Sequence, residues 1–136
     1  MTLTDFLLAR IHDDECLARM AFADHNGNGP EWDEAWSGAV DTRGEDLLLT
    51  NDSGVSRHIV NFDPARVLAE CEAKRQIVAI HHWIVNPNDN CSECGGYDLV
   101  AGLGAQGYRR RYPCETLRLL ALPYSDHPDY LPGWVP

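Results

Sequence analysis

The sequence contains no membrane span, since nowhere does it approach the roughly 20 consecutive apolar residues that a helix needs to cross hydrocarbon. Its opening segment, MTLTDFLLARIHDDECLARM, has neither a basic n-region nor an unbroken apolar run, so no export signal is read there. These absences predict a soluble, cytoplasmic protein that does not engage a membrane. Repeats and low-complexity tracts are also missing, which excludes solenoid and linker architectures. A disulfide framework is excluded on other grounds. Five cysteines is an odd number, and without export the thiols stay reduced, free for metals or for the core.

Basic charge is scarce in one half only. Residues 1–63 carry 13 Asp and Glu against 4 Arg, net −9, whereas residues 64–136 carry 8 acidic against 7 basic residues, net −1. A field of that sign repels phosphate backbones and steers a basic protein partner towards it. The plainer alternative is that the acids only keep a small protein in solution.

What is present suffices for a core. The 136 residues are 44% apolar, with four Trp and five Tyr, which suits a single domain over residues 1–136. Leu3, Phe6, Leu7, Arg10, Ile11, Leu17, Met20 and Ala21 keep mostly to three-and-four spacing, predicting a helix over 4–23 with Thr2 or Thr4 as N-cap and Asp5 in the first turn. DHNGNGP at 24–30 ends it. Trp32, Trp36 and Val40, the turn DTRGE at 41–45, the run DLLLT at 46–50 and the turn NDSG at 51–54 read as short strands of a hairpin or meander. A second long helix starts with Asp63 as cap and Pro64 at the first helical position, and its Val67, Leu68, Cys71, Val78 periodicity carries it to about Trp83, before Asn86-Pro87. After Cys114, ETLRLLALPY is a short amphipathic helix and SDHPDYLPGWVP an irregular tail, which either packs on the core or reaches a neighbouring copy. The expected class is therefore α+β: two long helices, a small antiparallel sheet, a zinc-clamped loop and a short C-terminal helix.

The clamp rests on NCSECGGY at 90–97. Two cysteines at C-x2-C spacing can share one turn around tetrahedral zinc, and glycine after the second lets backbone N–H groups approach the thiolates. Cys91 and Cys94 have that form; Cys114 is the simplest third ligand, and His81 or His82 at the end of the second helix the fourth. Periodicity does not separate the two histidines. The pair is a poor redox motif, because such motifs open a helix after a strand, and here it sits among Asn, Gly and Asp. Cys16 and Cys71 lie within helical patterns and are assigned to the core. Four protein ligands leave no position for a catalytic water, so the zinc is expected to be structural.

Other chemistry-bearing groups have plainer readings. Arg109, Arg110 and Arg111 beside Tyr108 and Tyr112 could contact phosphates or stack bases, but arginines in an acidic protein more often form ion pairs. Asp126-His127-Pro128-Asp129 is turn chemistry, and His12, Asp13, Asp14 and Glu15 occupy successive helix positions that face different ways. No catalytic constellation emerges.

HIVNFDPARVLAECEAKRQIVAIH at 58–81 and CETLRLLALPYSDHPDYLPGW at 114–134 resemble the two signature blocks of a family of small uncharacterised proteins from high-GC Gram-positive bacteria and their phages, known only as a domain of unknown function. The resemblance covers nearly the whole chain. It places the family histidine on His81 and the last cysteine on Cys114, and differs at Asn61-Phe62, where the family pattern has a histidine before the aspartate. It implies a fold and a metal rather than a reaction. The leading expectation is a non-catalytic zinc protein that presents an acidic face to a protein partner. The alternatives are a nucleic-acid binder using Arg109 to Arg111 and a zinc hydrolase with an open coordination position.

Overall fold

The computed structural model describes residues 1–23, 30–35, 38–41, 46–49, 52–84, 90–94 and 112–136. The Asn-Gly turns at 24–29, Trp36, the turn at 42–45, most of the loop after Cys94 and the Arg109 to Arg111 cluster lie outside the described residues. Four helices dominate: α1 (Leu3–Ala23), α2 (Ser53–Asn61), α3 (Pro64–Ile80) and α4 (Glu115–Ala121). None among the described residues is long and apolar enough to cross a membrane. The described residues divide into two compact units, residues 1–10 with 74–136, and residues 11–73.

The first unit is built around one aromatic ring. Thr2 caps α1 in a reciprocal box: its N–H and hydroxyl donate to the Asp5 carboxylate at 2.9 and 2.7 Å, and the Asp5 N–H donates back to the Thr2 hydroxyl at 3.1 Å. The backbone and hydroxyl hydrogen bonds from Thr2 hold the Asp5 carboxyl below its ordinary pKa. From this start Leu3, Phe6 and Leu7 fall on one helix face, and all three are buried. The Phe6 ring meets Tyr124 at 6.3 Å between centroids, His127 at 5.6 Å, Tyr130 at 6.0 Å and Trp134 at 5.1 Å, mostly edge to face, the arrangement that ring quadrupoles prefer. The tail therefore packs on the core, with Trp134 buried. Two turns of 3₁₀-helix, Leu122–Tyr124 and Pro132–Trp134, shape it around Phe6. Val78, Leu117 and Ala121 complete the buried apolar set.

The second unit joins helices to short strands. Strands β1 (Trp32–Ala35), β2 (Gly38–Asp41) and β3 (Asp46–Leu49) pair antiparallel, Trp32 opposite Asp41 and Gly38 opposite Leu49, and the register shifts between Ala39 and Val40. At four residues each they are a minor component beside the helices, so the α+β class with a small antiparallel sheet expected from the sequence is corrected to a mostly helical chain. Asp63 fixes where α3 begins: its carboxylate accepts from the Arg66 N–H at 2.8 Å as N-cap and from the Trp32 N–H at 3.3 Å. Nearby, the Ala65 N–H donates to the Pro30 carbonyl at 3.0 Å, which ties the entry to β1 to the same helix start.

Two expectations need correction. Residues 51–54 were read as a turn, yet Asp52 is an N-cap that accepts from the Gly54 and Val55 N–H groups, and α2 follows. The turn-forming residues Asp52, Ser53 and Gly54 hid the start of this nine-residue helix, of which Ser56 is the one buried residue and Val55 is exposed. The apolar pattern of α1 also misleads beyond Ile11, where Leu17 and Met20 stand 66% and 61% exposed and Cys16, assigned to the core, is exposed as well. At about 100° per residue Cys16 and Met20 fall away from the buried positions of α1, whereas Leu17 falls in line with Phe6 and Leu3 and is exposed all the same. Cys71 is buried as expected.

The contrast within α1 is directly measurable. Phe6→Ala should lower the unfolding free energy by about 3–5 kcal/mol, since it opens a cavity under four rings. Leu17→Ala should stay within about 0.5 kcal/mol. Chemical denaturation of both variants beside the wild type checks this, and equal losses would mean that Leu17 is covered after all.

Candidate metal centre

Three separate stretches of chain converge at one point. The final backbone bond of α3's geometry runs from the His81 N–H to the Ile77 carbonyl at 3.2 Å, which sets the direction of the His81 side chain as the helix ends. Immediately beyond, β4 (Trp83–Ile84) pairs antiparallel with β5 (Asn90–Cys91), Trp83 opposite Cys91, and so returns the chain to the end of α3. The turn after β5 carries Cys94. Cys114 arrives as the N-cap of α4, extended in its backbone and with no side-chain capping bond, which leaves its sulfur available. Arg118 steadies that approach by donating from Nε to the Pro113 carbonyl at 3.1 Å, next to the cis Tyr112-Pro113 peptide.

The ligand atoms of His81, Cys91, Cys94 and Cys114 all lie within 4.8 Å of one another. The His81 Nδ1 stands 3.4 Å from the Cys91 sulfur, 3.4 Å from that of Cys94 and 3.6 Å from that of Cys114. Hydrogen bonding does not explain three such separations, because a neutral imidazole has one N–H and Nδ1 can serve one sulfur at a time. A central metal does. Zn–N bonds of about 2.0–2.1 Å and Zn–S bonds of about 2.3 Å at tetrahedral angles put the nitrogen about 3.6 Å from each sulfur. None of the cysteines is in a disulfide. Cys91 and Cys114 are buried and Cys94 and His81 are half-buried, so the centre is closed on most sides.

Outside the four lie residues that sequence reasoning passed over. Ser92 donates its hydroxyl to the Ile80 carbonyl, accepts from the His82 N–H at 3.0 Å and donates its own N–H to the His82 carbonyl at 2.9 Å. The Thr116 hydroxyl lies 3.9 Å from the Cys94 sulfur, in position to donate to a thiolate. The only signal for either was proximity to a cysteine in the sequence: Ser92 is the first residue inside C-x2-C, and Thr116 follows Cys114 by two.

The two histidines are now distinct. His82 is exposed and its Nδ1 lies 3.3 Å from the Ala79 carbonyl, away from the sulfurs, which points to His81 alone. The helix of α3 stops at Ile80, short of the expected Trp83, where the Ile80 carbonyl and the His82 N–H turn to the Ser92 hydroxyl. His127 accepts at Nδ1 from the Asp129 N–H at 3.1 Å while its ring packs on Phe6, so Asp126-His127-Pro128-Asp129 serves as a turn and as core. On α1, the His12 Nε2 contacts the exposed Cys16 sulfur at 3.5 Å, and His12 and Asp13 are exposed on successive positions.

Comparison with known proteins yields a single relationship. No curated protein and no solved structure matches this chain. A family model matches it from end to end, over residues 1–136, which covers the α1 start, both units and all four residues of the metal centre. The chain belongs to DUF6221, a family of unknown function.

Proposed function

We propose that the centre holds one zinc ion as a structural clamp, and that the protein is a non-enzymatic zinc-stabilised module whose acidic half meets a basic protein partner. The observation that carries the first part is the single His81 nitrogen at 3.4–3.6 Å from three sulfurs. Three thiolates and an imidazole are the donor set of structural zinc sites, and softer donors of this kind select zinc over magnesium or calcium. With four protein ligands in place, no coordination position remains for the water that a hydrolase would activate. Free thiols in such a site are in keeping with a reducing, cytoplasmic setting in a bacterium or phage-infected cell. The basic-partner part rests on charge, net −9 over residues 1–63 of this chain.

Elemental analysis of untagged protein tests the clamp. About one zinc per chain is expected in the wild type and in His82→Ala, and none that survives dialysis in His81→Ala or Cys114→Ser. Chelation of the wild type should unfold the unit that carries the centre, because binding of structural zinc is worth on the order of 10 kcal/mol. Metal retained after loss of both histidines would reopen the hydrolase reading, and a folded wild type without metal would end the zinc reading altogether.

The partner reading is tested by ionic strength. At about 0.01 M salt, where the Debye length is about 30 Å, the protein should bind an Arg- and Lys-rich peptide and release it near 1 M, where that length is about 3 Å. Binding to duplex DNA under the same low-salt conditions, with none to the peptide, would replace this reading with the nucleic-acid one.

A further inference from the structure

The end of α3 presents two adjacent histidines to a site that takes one, and the structure shows what separates them. Helix termini leave the last carbonyls without intrahelical donors, and these groups must find partners elsewhere. Here Ser92 meets that need for the last carbonyl, that of Ile80. The Ser92 hydroxyl donates to the Ile80 carbonyl and accepts from the His82 N–H at 3.0 Å, and the Ser92 N–H donates to the His82 carbonyl at 2.9 Å. Residues 80 and 82 are thus gripped on either side of His81, while the residue that grips them directly follows the buried Cys91. The backbone that sets the His81 direction and the backbone that sets the Cys91 direction become one frame.

We infer that Ser92 is a positioning residue that selects His81 over His82 as the nitrogen ligand and holds the centre ready for its metal. This rests on the reading that the cluster binds zinc. Consecutive residues at a helix end point their side chains in different directions, so only one of 81 and 82 can face the three sulfurs for a given orientation of the segment. Ser92 sets that orientation through both backbone groups of His82, whose ring is exposed with its Nδ1 beside the Ala79 carbonyl. The role needs a hydroxyl specifically, because the same oxygen donates once and accepts once. Alanine loses both bonds. Threonine keeps them. Residues that orient metal ligands from outside the coordination sphere typically change metal affinity 10–100-fold when removed.

The test uses full-length, zinc-loaded wild type, Ser92→Ala, Ser92→Thr and Ser92→Val. Zinc release to a chromogenic chelator gives the rate, and long-range proton–nitrogen NMR of the imidazoles shows which ring nitrogen is metal-bound. Release from Ser92→Ala is expected to be about 10–100-fold faster than from the wild type, with metal-bound signals shared between His81 and His82, while Ser92→Thr stays close to wild type with His81 Nδ1 alone. The Ser92→Thr and Ser92→Val pair differs by little more than the hydroxyl, and it decides the matter if Ser92→Ala does not fold: threonine behaving like wild type and valine like the expected alanine upholds the inference. Wild-type release rates in Ser92→Ala or Ser92→Val, with His81 as sole ligand, overturn it. So does a loss of stability with no change in release or ligation, which would reduce Ser92 to an ordinary cap. A wild type that binds no zinc overturns both this inference and the reading beneath it, whereas a zinc-loaded wild type beside an indifferent Ser92→Ala overturns this inference alone.

Discussion

A single imidazole nitrogen held at 3.4–3.6 Å from three sulfurs is the constraint on which one end of the molecule depends. The elements that supply the ligands do not stand by themselves. Helix α4 has seven residues, below the length at which isolated helices persist in water. The β4–β5 pairing is two residues on each side, far short of an independently stable hairpin. Only α3, at 17 residues with Asp63 at its start, has local reasons to form. The short elements meet at the centre, and a metal bound there would link the end of α3, the turn after β5 and the start of α4, supplying the connection that their own sequences lack.

The packing around Phe6 works by a different principle in the same unit. Four rings surround it, and Arg10 and Lys74 place cationic groups over Phe6 and Tyr124 at 5.6 and 5.8 Å. This contact set is apolar, non-directional in its main term and tolerant of small shifts, whereas the centre is polar and strict in distance. Leu117 and Ala121 bury one face of α4 in the apolar set while Cys114, at the head of the same helix, belongs to the centre. Helix α4 is therefore held along its length by burial, and a metal bound at Cys114 would fix its start as well.

Much of this was written locally in the sequence. Asp63-Pro64 announced α3, Thr2 and Asp5 the start of α1, and the spacing of Cys91, Cys94 and Cys114 named three residues that the structure brings together with His81. What stayed hidden has physical causes. Asp52-Ser53-Gly54 reads equally as a turn or as a cap, and the nine-residue α2 that follows is short enough for the turn reading to mask it. Leu17 and Met20 continued an apolar pattern into a stretch of α1 where they are exposed, and a sequence pattern records which faces are apolar but not which are covered. The choice between His81 and His82 was closed to periodicity because it is made by Ser92, ten residues beyond His82, through backbone groups common to every residue type.

The ligand set also bears on what kind of protein this is. Three thiolates and a neutral imidazole around a divalent cation leave about one net negative charge in a largely buried place, which a donor such as the Thr116 hydroxyl, 3.9 Å from the Cys94 sulfur, can offset. A tetrahedral zinc held by four protein ligands would offer a substrate no open coordination position. His127, whose Nδ1 lies 3.9 Å from the Asp129 carboxylate, packs its ring on Phe6 and accepts at Nδ1 from the Asp129 N–H. A zinc bound by these four residues would hold helix ends together, while the net charge of −9 is carried over residues 1–63.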